Sequence, residues 1–151
     1  MAQTVSGLYY TTFRDALKGS GIALTLDSET DNKIALFNNT ITPNFDTDTA
    51  MGAAPYNANE CTGTGWSAGG VVLTTTTLSV TTGTFGWTAA NVSQANTTLT
   101  NVYGGLIYGL QATTKNAICL VYFGGTAYST NNGTFAITWN GAGIFTIDLT
   151  P

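Results

Sequence analysis

Apolar positions along the chain follow a helical period once, near the start, and a two-residue period in most of what comes after. Leu8, Tyr9, Phe13, Ala16 and Leu17 recur at helical spacing, and Gly19 and Gly21 follow as stop signals. The spacing predicts a short amphipathic helix over residues 8–18, with Tyr9, Phe13, Ala16 and Leu17 on the side that packs on a sheet. Ile22, Leu24 and Leu26 then alternate with smaller residues, and after the polar turn 27–32 the run 33–37 reads as a strand. From Gly69 onward strand and turn follow each other quickly, with strands predicted at 71–75, 77–82, 84–87, 103–108, 117–123, 134–139 and 144–149. Gly83, Gly104-Gly105, Gly124-Gly125, Asn131-Asn132-Gly133 and Asn140-Gly141 supply the turn signals. Short strands repeating at roughly ten-residue intervals predict an all-β fold, a single-domain antiparallel β-sandwich or barrel with one short N-terminal helix. Residues 1–7 read as an N-terminal arm and residues 8–151 as the domain.

Residues 38–65 interrupt the pattern. They show no clear period and hold Pro43, Pro55 and several Asn and Asp side chains. Irregular loops of this length are uncommon inside compact domains and are usually functional. The segment is therefore the expected contact surface, with Phe45, Met51 and Tyr56 as the residues that meet a partner, helped by a flexible arm at 1–7. The expected core is Phe37, Leu106, Ile107, Val121, Phe123, Phe135, Ile137, Trp139 and Phe145.

Composition sharpens the fold class and narrows the chemistry. The 151 residues are 43% hydrophobic, enough for one core, while only 8% are charged, against about a quarter in an average soluble protein. Thr, Asn and Gly abound, which suits branched side chains on pleated strands and positive φ angles in tight turns. Arg14, Lys18, Lys33 and Lys115 are scattered and outnumbered, at a net charge of −4, so a nucleic-acid partner is not expected. No apolar run has the length of a membrane-spanning helix, and residues 1–7 lack the basic and apolar regions of a secretion signal.

The absence of His removes the commonest general base and zinc ligand, and no enzyme activity or cofactor is expected. A glycosidase would need a carboxylate pair, and all but Asp148 of the candidates Asp27, Glu29, Asp31, Asp46, Asp48, Glu60 and Asp148 fall in predicted turns or loops. The acidic alternations 27–31 and 46–48 have oxygens that a calcium ion could gather, but neither has the spacing of an EF-hand, and turn solubility explains both. Tyr56, Trp66, Trp87 and Trp139 are the aromatics that could stack on a sugar, although burial is the default use of such side chains. Cys61 and Cys119 belong to no metal or redox spacing, and Cys119, inside the apolar run 118–123, reads as a buried free thiol.

The order of these pieces resembles a family of small structural proteins carried by tailed bacteriophages. The resemblance rests on Gly7-Leu8-Tyr9, on the strand from Asp31 through Phe37, and on a segment from Asn59 to Gly70. That segment holds an Asn59-Glu60 pair, a Gly63-Thr64-Gly65-Trp66 run and an Ala68-Gly69-Gly70 turn. Further matches are Gly105-Leu106-Ile107-Tyr108, Val121-Tyr122-Phe123-Gly124 and Asn132-Gly133-Thr134-Phe135 leading into Trp139. Cys61 departs from the pattern, where a β-branched residue is more usual. The resemblance implies a non-enzymatic virion protein assembled in the host cytoplasm. Its expected role is a capsid decoration (cement) protein that binds the outside of the major capsid protein shell and associates with itself as a homotrimer. A tail, neck or fibre component with a carbohydrate-binding face is the alternative.

Overall fold

A computed structural model describes residues 2–111 and 114–150; Met1 and Pro151, the ends of the expected arm and domain, lie outside them. The fold is all-β with one short helix. Its elements are β1 (Gly7–Leu8), α1 (Tyr10–Leu17), β2 (Asn32–Phe37), β3 (Val71–Val72), β4 (Thr77–Thr81), β5 (Thr84–Thr88), β6 (Val92–Val102), β7 (Gly104–Gly109), β8 (Ala117–Tyr122), β9 (Tyr128–Ile137) and β10 (Phe145–Asp148). Every strand pairing is antiparallel, in sheets ordered β1-β8-β7-β2-β3, β10-β5-β4 and β6-β9. The five-stranded sheet stays open at both edges, so among the described residues the strands close no barrel.

The five-stranded sheet is the centre because β2 and β7 are apolar on both faces. Alternation sends Ile34, Leu36 and Ile107 to one side and Ala35, Phe37, Leu106 and Tyr108 to the other. On β8 the register slips between the Ile107–Cys119 and Tyr108–Ala117 pairs, and Ile118 and Cys119 both join the first side. That side is roofed by Trp87, Val92, Leu99, Phe135 and Ile137 from β5, β6 and β9, and by Trp66 from the loop before β3. The Trp87 indole donates to the Leu26 carbonyl at 2.6 Å, which ties the segment before β2 to β5.

The arrangement corrects several expectations. The helix starts at Tyr10 rather than Leu8, because the Leu8 backbone pairs with Cys119 and the Tyr9 amide donates to the Ile118 carbonyl at 3.0 Å. Its first turn is anchored while its last overhangs, so Leu17 is 89% exposed instead of packed. Residues 22–26 form no ladder; Asn32 Nδ2 holds the turn by donating to the carbonyls of Thr25, Leu26 and Ser28. The N-terminal arm is docked, not free: Gln3 is buried and donates to the Asn38 carbonyl, and the Tyr122 amide donates to Ser6 Oγ. Of the expected core, Phe37, Leu106, Ile107, Phe135 and Ile137 are buried, while Val121, Phe123, Trp139 and Phe145 are half-buried against the first cluster.

The longest strand, β6, has no counterpart among the sequence expectations. Its buried residues Val92, Thr97, Leu99 and Val102 do not keep a period of two, because the ladder to β9 shifts register between Gln94 and Thr97, Thr97 and Leu99, and Leu99 and Val102. Asn96 and Asn101 sit at these irregularities with φ of 55° and 56°. Thr97 is buried at no cost in lost hydrogen bonding, with its hydroxyl shared with Thr130 at 2.8 Å and Gly133 O at 3.1 Å.

Glycine is required where the chain crosses close to β2. A Cβ on Gly70, at φ +70°, would lie 1.8 Å from the Ile34 carbonyl oxygen, whereas Gly19, at φ +67°, has open space around it. Gly70→Ala should therefore lower the unfolding free energy by well over the ~1–2 kcal/mol expected for Gly19→Ala from left-handed strain alone. Denaturant titration of the two variants tests this; equal losses would contradict the close approach.

Candidate interaction surface

Of residues 38–65, expected to face a partner, the part from Ile41 to Tyr56 instead covers the second face of the central sheet, while Cys61 packs into the cluster on the first. Ile41, Ala50 and Tyr56 are buried, and isolated bridges join Phe37 to Glu60 and Ala50 to Asn116. Short polar turns make such a path possible without a ladder: Asn38 Oδ1 accepts from the Thr40 amide, Asn44 Oδ1 from the Asp46 amide and Asp48 Oδ2 from the Asn44 amide. The peptide bond before Pro55 is cis.

The three residues assigned to partner contact are drawn inward. Tyr56 is buried edge-on to Phe37, with ring centroids 5.2 Å apart, and its hydroxyl hydrogen-bonds that of Tyr9. Phe45 packs on Tyr9 at 5.3 Å and lies against Gly7, where a Cβ would be 2.8 Å from the ring. Met51 is half-buried beside the same cluster. Tyr56 is thus unreachable for a partner unless the segment opens, and Phe45 and Met51 offer only part of their surface.

The other candidate groups also have structural uses. Trp66 and Trp87 are buried, and Trp139 is half-buried with its indole donating to the Ala90 carbonyl. Gly63 and Gly65 let their loop lie against the β6 backbone, so that Trp66 reaches Phe135 at 5.6 Å. Asp31 accepts from Ser28 and Thr25, and Glu60 Oε1 accepts from the Gly69 amide at 2.6 Å. Burial raises the Glu60 pKa. No three Asp, Glu or Cys side chains gather as a metal cluster among the described residues. Cys61 and Cys119 are free and buried, and Cys61 donates to the Asn101 carbonyl at 3.7 Å.

Among the described residues, two of the concave surfaces bear on recognition. One is a cleft of about 480 Å³ along β9, where Phe123 and Tyr128 stand edge-on beside the hydroxyls of Ser129, Thr130 and Thr134. The other is a groove of about 440 Å³ between α1 and the β10-β5-β4 sheet, lined by apolar side chains that include Phe13, Leu17, Leu24, Leu78, Phe85 and Leu149. Its walls follow from two patterns. On the sheet, Leu78, Phe85, Trp87, Phe145 and Ile147 share one face, while Thr77, Ser79, Thr81, Thr84, Thr88 and Thr146 share the other. On the helix, Phe13 meets Phe145 at 5.8 Å and props the last turn over the sheet. Leu17 is left 89% exposed and Leu149 67%. The sequence hinted at this surface through alternation in 77–81 and 145–149, but the exposure of Leu17 had no signal in a periodic helix.

Comparison with protein families, with curated proteins and with solved structures found no match. The likeness to phage structural proteins therefore rests on the sequence motifs alone.

The Tyr9–Tyr56 cover carries a pH signature. Burial, reinforced at Tyr9 by the neighbouring Tyr56, raises both phenol pKa values far above the ordinary range; burial alone lifts Cys119, and burial together with the nearby Glu60 carboxylate lifts Cys61 to about 11 and Tyr108 to about 12. The fold favours the neutral forms, so this stability is complete below the unfolded values, about 8.5 for Cys and 10 for Tyr, and is lost as pH rises past them. The melting temperature should hold to about pH 8 and fall steadily from there to pH 11. Replacing Tyr9 and Tyr56 together by Phe leaves no orphaned hydroxyl and should flatten the fall above about pH 10. An unchanged slope would show that the pair ionises freely.

Proposed function

We propose that the protein is a non-enzymatic structural subunit of a bacteriophage particle, a decoration protein seated on the outer face of the major capsid protein shell. The observation that carries this reading is the open apolar groove under α1. A chain with only 8% charged residues that leaves Leu17, Leu149 and Val80 largely exposed along one side has a surface built to be covered by another protein. The motifs that resemble phage structural proteins supply the kind of partner: a repeating shell whose projecting apolar residues fill the groove. Decoration is then mechanical. Each subunit that bridges neighbouring shell proteins adds buried interface, and the added contacts oppose the outward pressure of packaged DNA.

A tail, neck or fibre placement is supported by the β9 cleft. Tyr128, half-exposed among the hydroxyls of Ser129, Thr130 and Thr134, suits the apolar face and hydroxyl rim of a sugar ring.

Leu17→Asp combined with Leu149→Asp separates contact from folding, because both side chains are already in water. The variant should melt like the parent and bind undecorated heads at least ten-fold more weakly, a loss of about 1.4 kcal/mol. Parental occupancy would remove the groove from the attachment surface, and recovery of the protein with tails rather than heads would move it to the alternative. Replacing Phe45, Met51 and Tyr56 does not serve this purpose, since those changes uncover the sheet.

A further inference from the structure

We infer that β4 is a self-pairing edge, through which two copies of the chain join their three-stranded sheets into one continuous six-stranded sheet across a two-fold axis. The inference stands on β4 alone and is independent of where the subunit sits in a particle.

Exposed sheet edges invite pairing with other chains, and proteins normally blunt them by shortness, charge, proline or bulges. Among the described residues the other edges are blunted in this way. β1 and β3 have two residues each, β10 ends on Asp148, and the β6–β9 ribbon is broken by register shifts. Strand β4 has none of these protections. Its five residues, Thr77-Leu78-Ser79-Val80-Thr81, are uncharged, regularly paired to β5 on one side and exposed throughout.

The hairpin fixes which backbone groups face outward. The loop residues Thr82 and Gly83 have φ of 49° and 77°, the type I′ geometry that closes on a doubly hydrogen-bonded pair, here Thr81 and Thr84. Alternation along the ladder makes Ser79–Gly86 and Thr77–Thr88 the next bonded pairs. The N–H and C=O groups of Leu78 and Val80 therefore point away from β5, and no backbone bond outside the hairpin engages them among the described residues.

The side chains identify the occupant as the strand itself. The segment reads the same in both directions by chemical class: hydroxyl, aliphatic, hydroxyl, aliphatic, hydroxyl. Antiparallel pairing centred on Ser79 sets Leu78 opposite Val80 of the second copy as a doubly bonded pair, twice over. It sets Thr77 opposite Thr81 on the hydroxyl face, and Ser79 opposite Ser79 on the axis. Cross-strand Thr pairs and aliphatic pairs both stabilise a sheet, and no like charges meet although each copy carries a net −4. Val80, 69% exposed in the single chain, gains an apolar neighbour. Such a contact is self-complementary, as an isologous interface must be. One strand on each side buries less than the ~1,200 Å² of a standard stable complex, so the free protein should be a weak dimer that forms at high concentration. It should not be a trimer.

Disulfide trapping tests the register. On the axis, Ser79 of each copy occupies a non-hydrogen-bonded pair with Cα atoms about 4.5 Å apart, within disulfide reach. Two copies of Thr81, on the same strand and face, lie about 14 Å apart along the ladder, beyond it. Under mild oxidation Ser79→Cys should therefore yield covalent dimer at least ten-fold faster than Thr81→Cys. The parent, whose two thiols are buried, should yield none. Adding Val80→Lys to Ser79→Cys should abolish the difference, with circular dichroism confirming that each variant is folded. Equal trapping of Ser79→Cys and Thr81→Cys, or a protein that sediments as a monomer at millimolar concentration, would overturn the inference.

Discussion

Two strands without a solvent-facing side govern this structure. β2 and β7 present large apolar residues on both faces of the central sheet, so neither face can be left to water. At roughly 25 cal/mol for each Å² of apolar surface removed from water, each uncovered face would forfeit stability on the scale of the whole domain. β7 helps by being thin. Gly104 and Gly105 make room for Gln3 and for Ile34, whose side chains lie where a Cβ would stand. The arm, the helix start, the long irregular segment and the distal ribbons are then arranged as covers for one face or the other.

The two covers differ in kind. On one face, β5, β6 and β9 bring apolar side chains from paired strands, and Trp66 and Trp87 join them in the same cluster. On the other, the segment from Asn38 to Tyr56 has no ladder of its own and satisfies its backbone through Asn and Asp side chains and isolated bridges. A cover without a ladder is held by what it buries, which is why Tyr56 and Tyr9 share a hydrogen bond within it and why Phe45 packs against Gly7. These aromatics hold the fold together, so they are poor candidates for recognition.

Surplus apolar surface lies elsewhere. The β10-β5-β4 sheet has one Thr-rich face in water and one apolar face that α1 covers incompletely. The short eight-residue helix leaves an open groove, and β4, paired only with β5, leaves an unguarded edge. The proposed virion placement and the proposed self-pairing would use different parts of the same sheet, the apolar face in one case and the β4 edge in the other.

How much of this was legible in the sequence depends on whether local pattern or distant contact decided each part. The all-β class, the helix near the start and the strands β2, β4, β5, β7, β8 and β10 followed from period and turn residues, because side-chain alternation and positive φ are local properties. Strand β6 was hidden because its register shifts destroy the alternation, and only pairing with β9 makes its polar residues a strand. Residues 38–65 looked like a free loop since no period marks them; the burial of Ile41 and Tyr56 depends on the second face of a sheet whose strands β7 and β8 come much later in the sequence. Leu17 seemed a core residue from its spacing, yet the pairing of Leu8 with Cys119 fixes where the helix begins and how far its end overhangs. By itself the sequence determined which segments could be strands and that the chain lacks histidine chemistry. The tertiary structure alone decided which aromatics are core and which apolar side chains remain uncovered, because burial depends on what packs opposite a residue as well as on its own spacing.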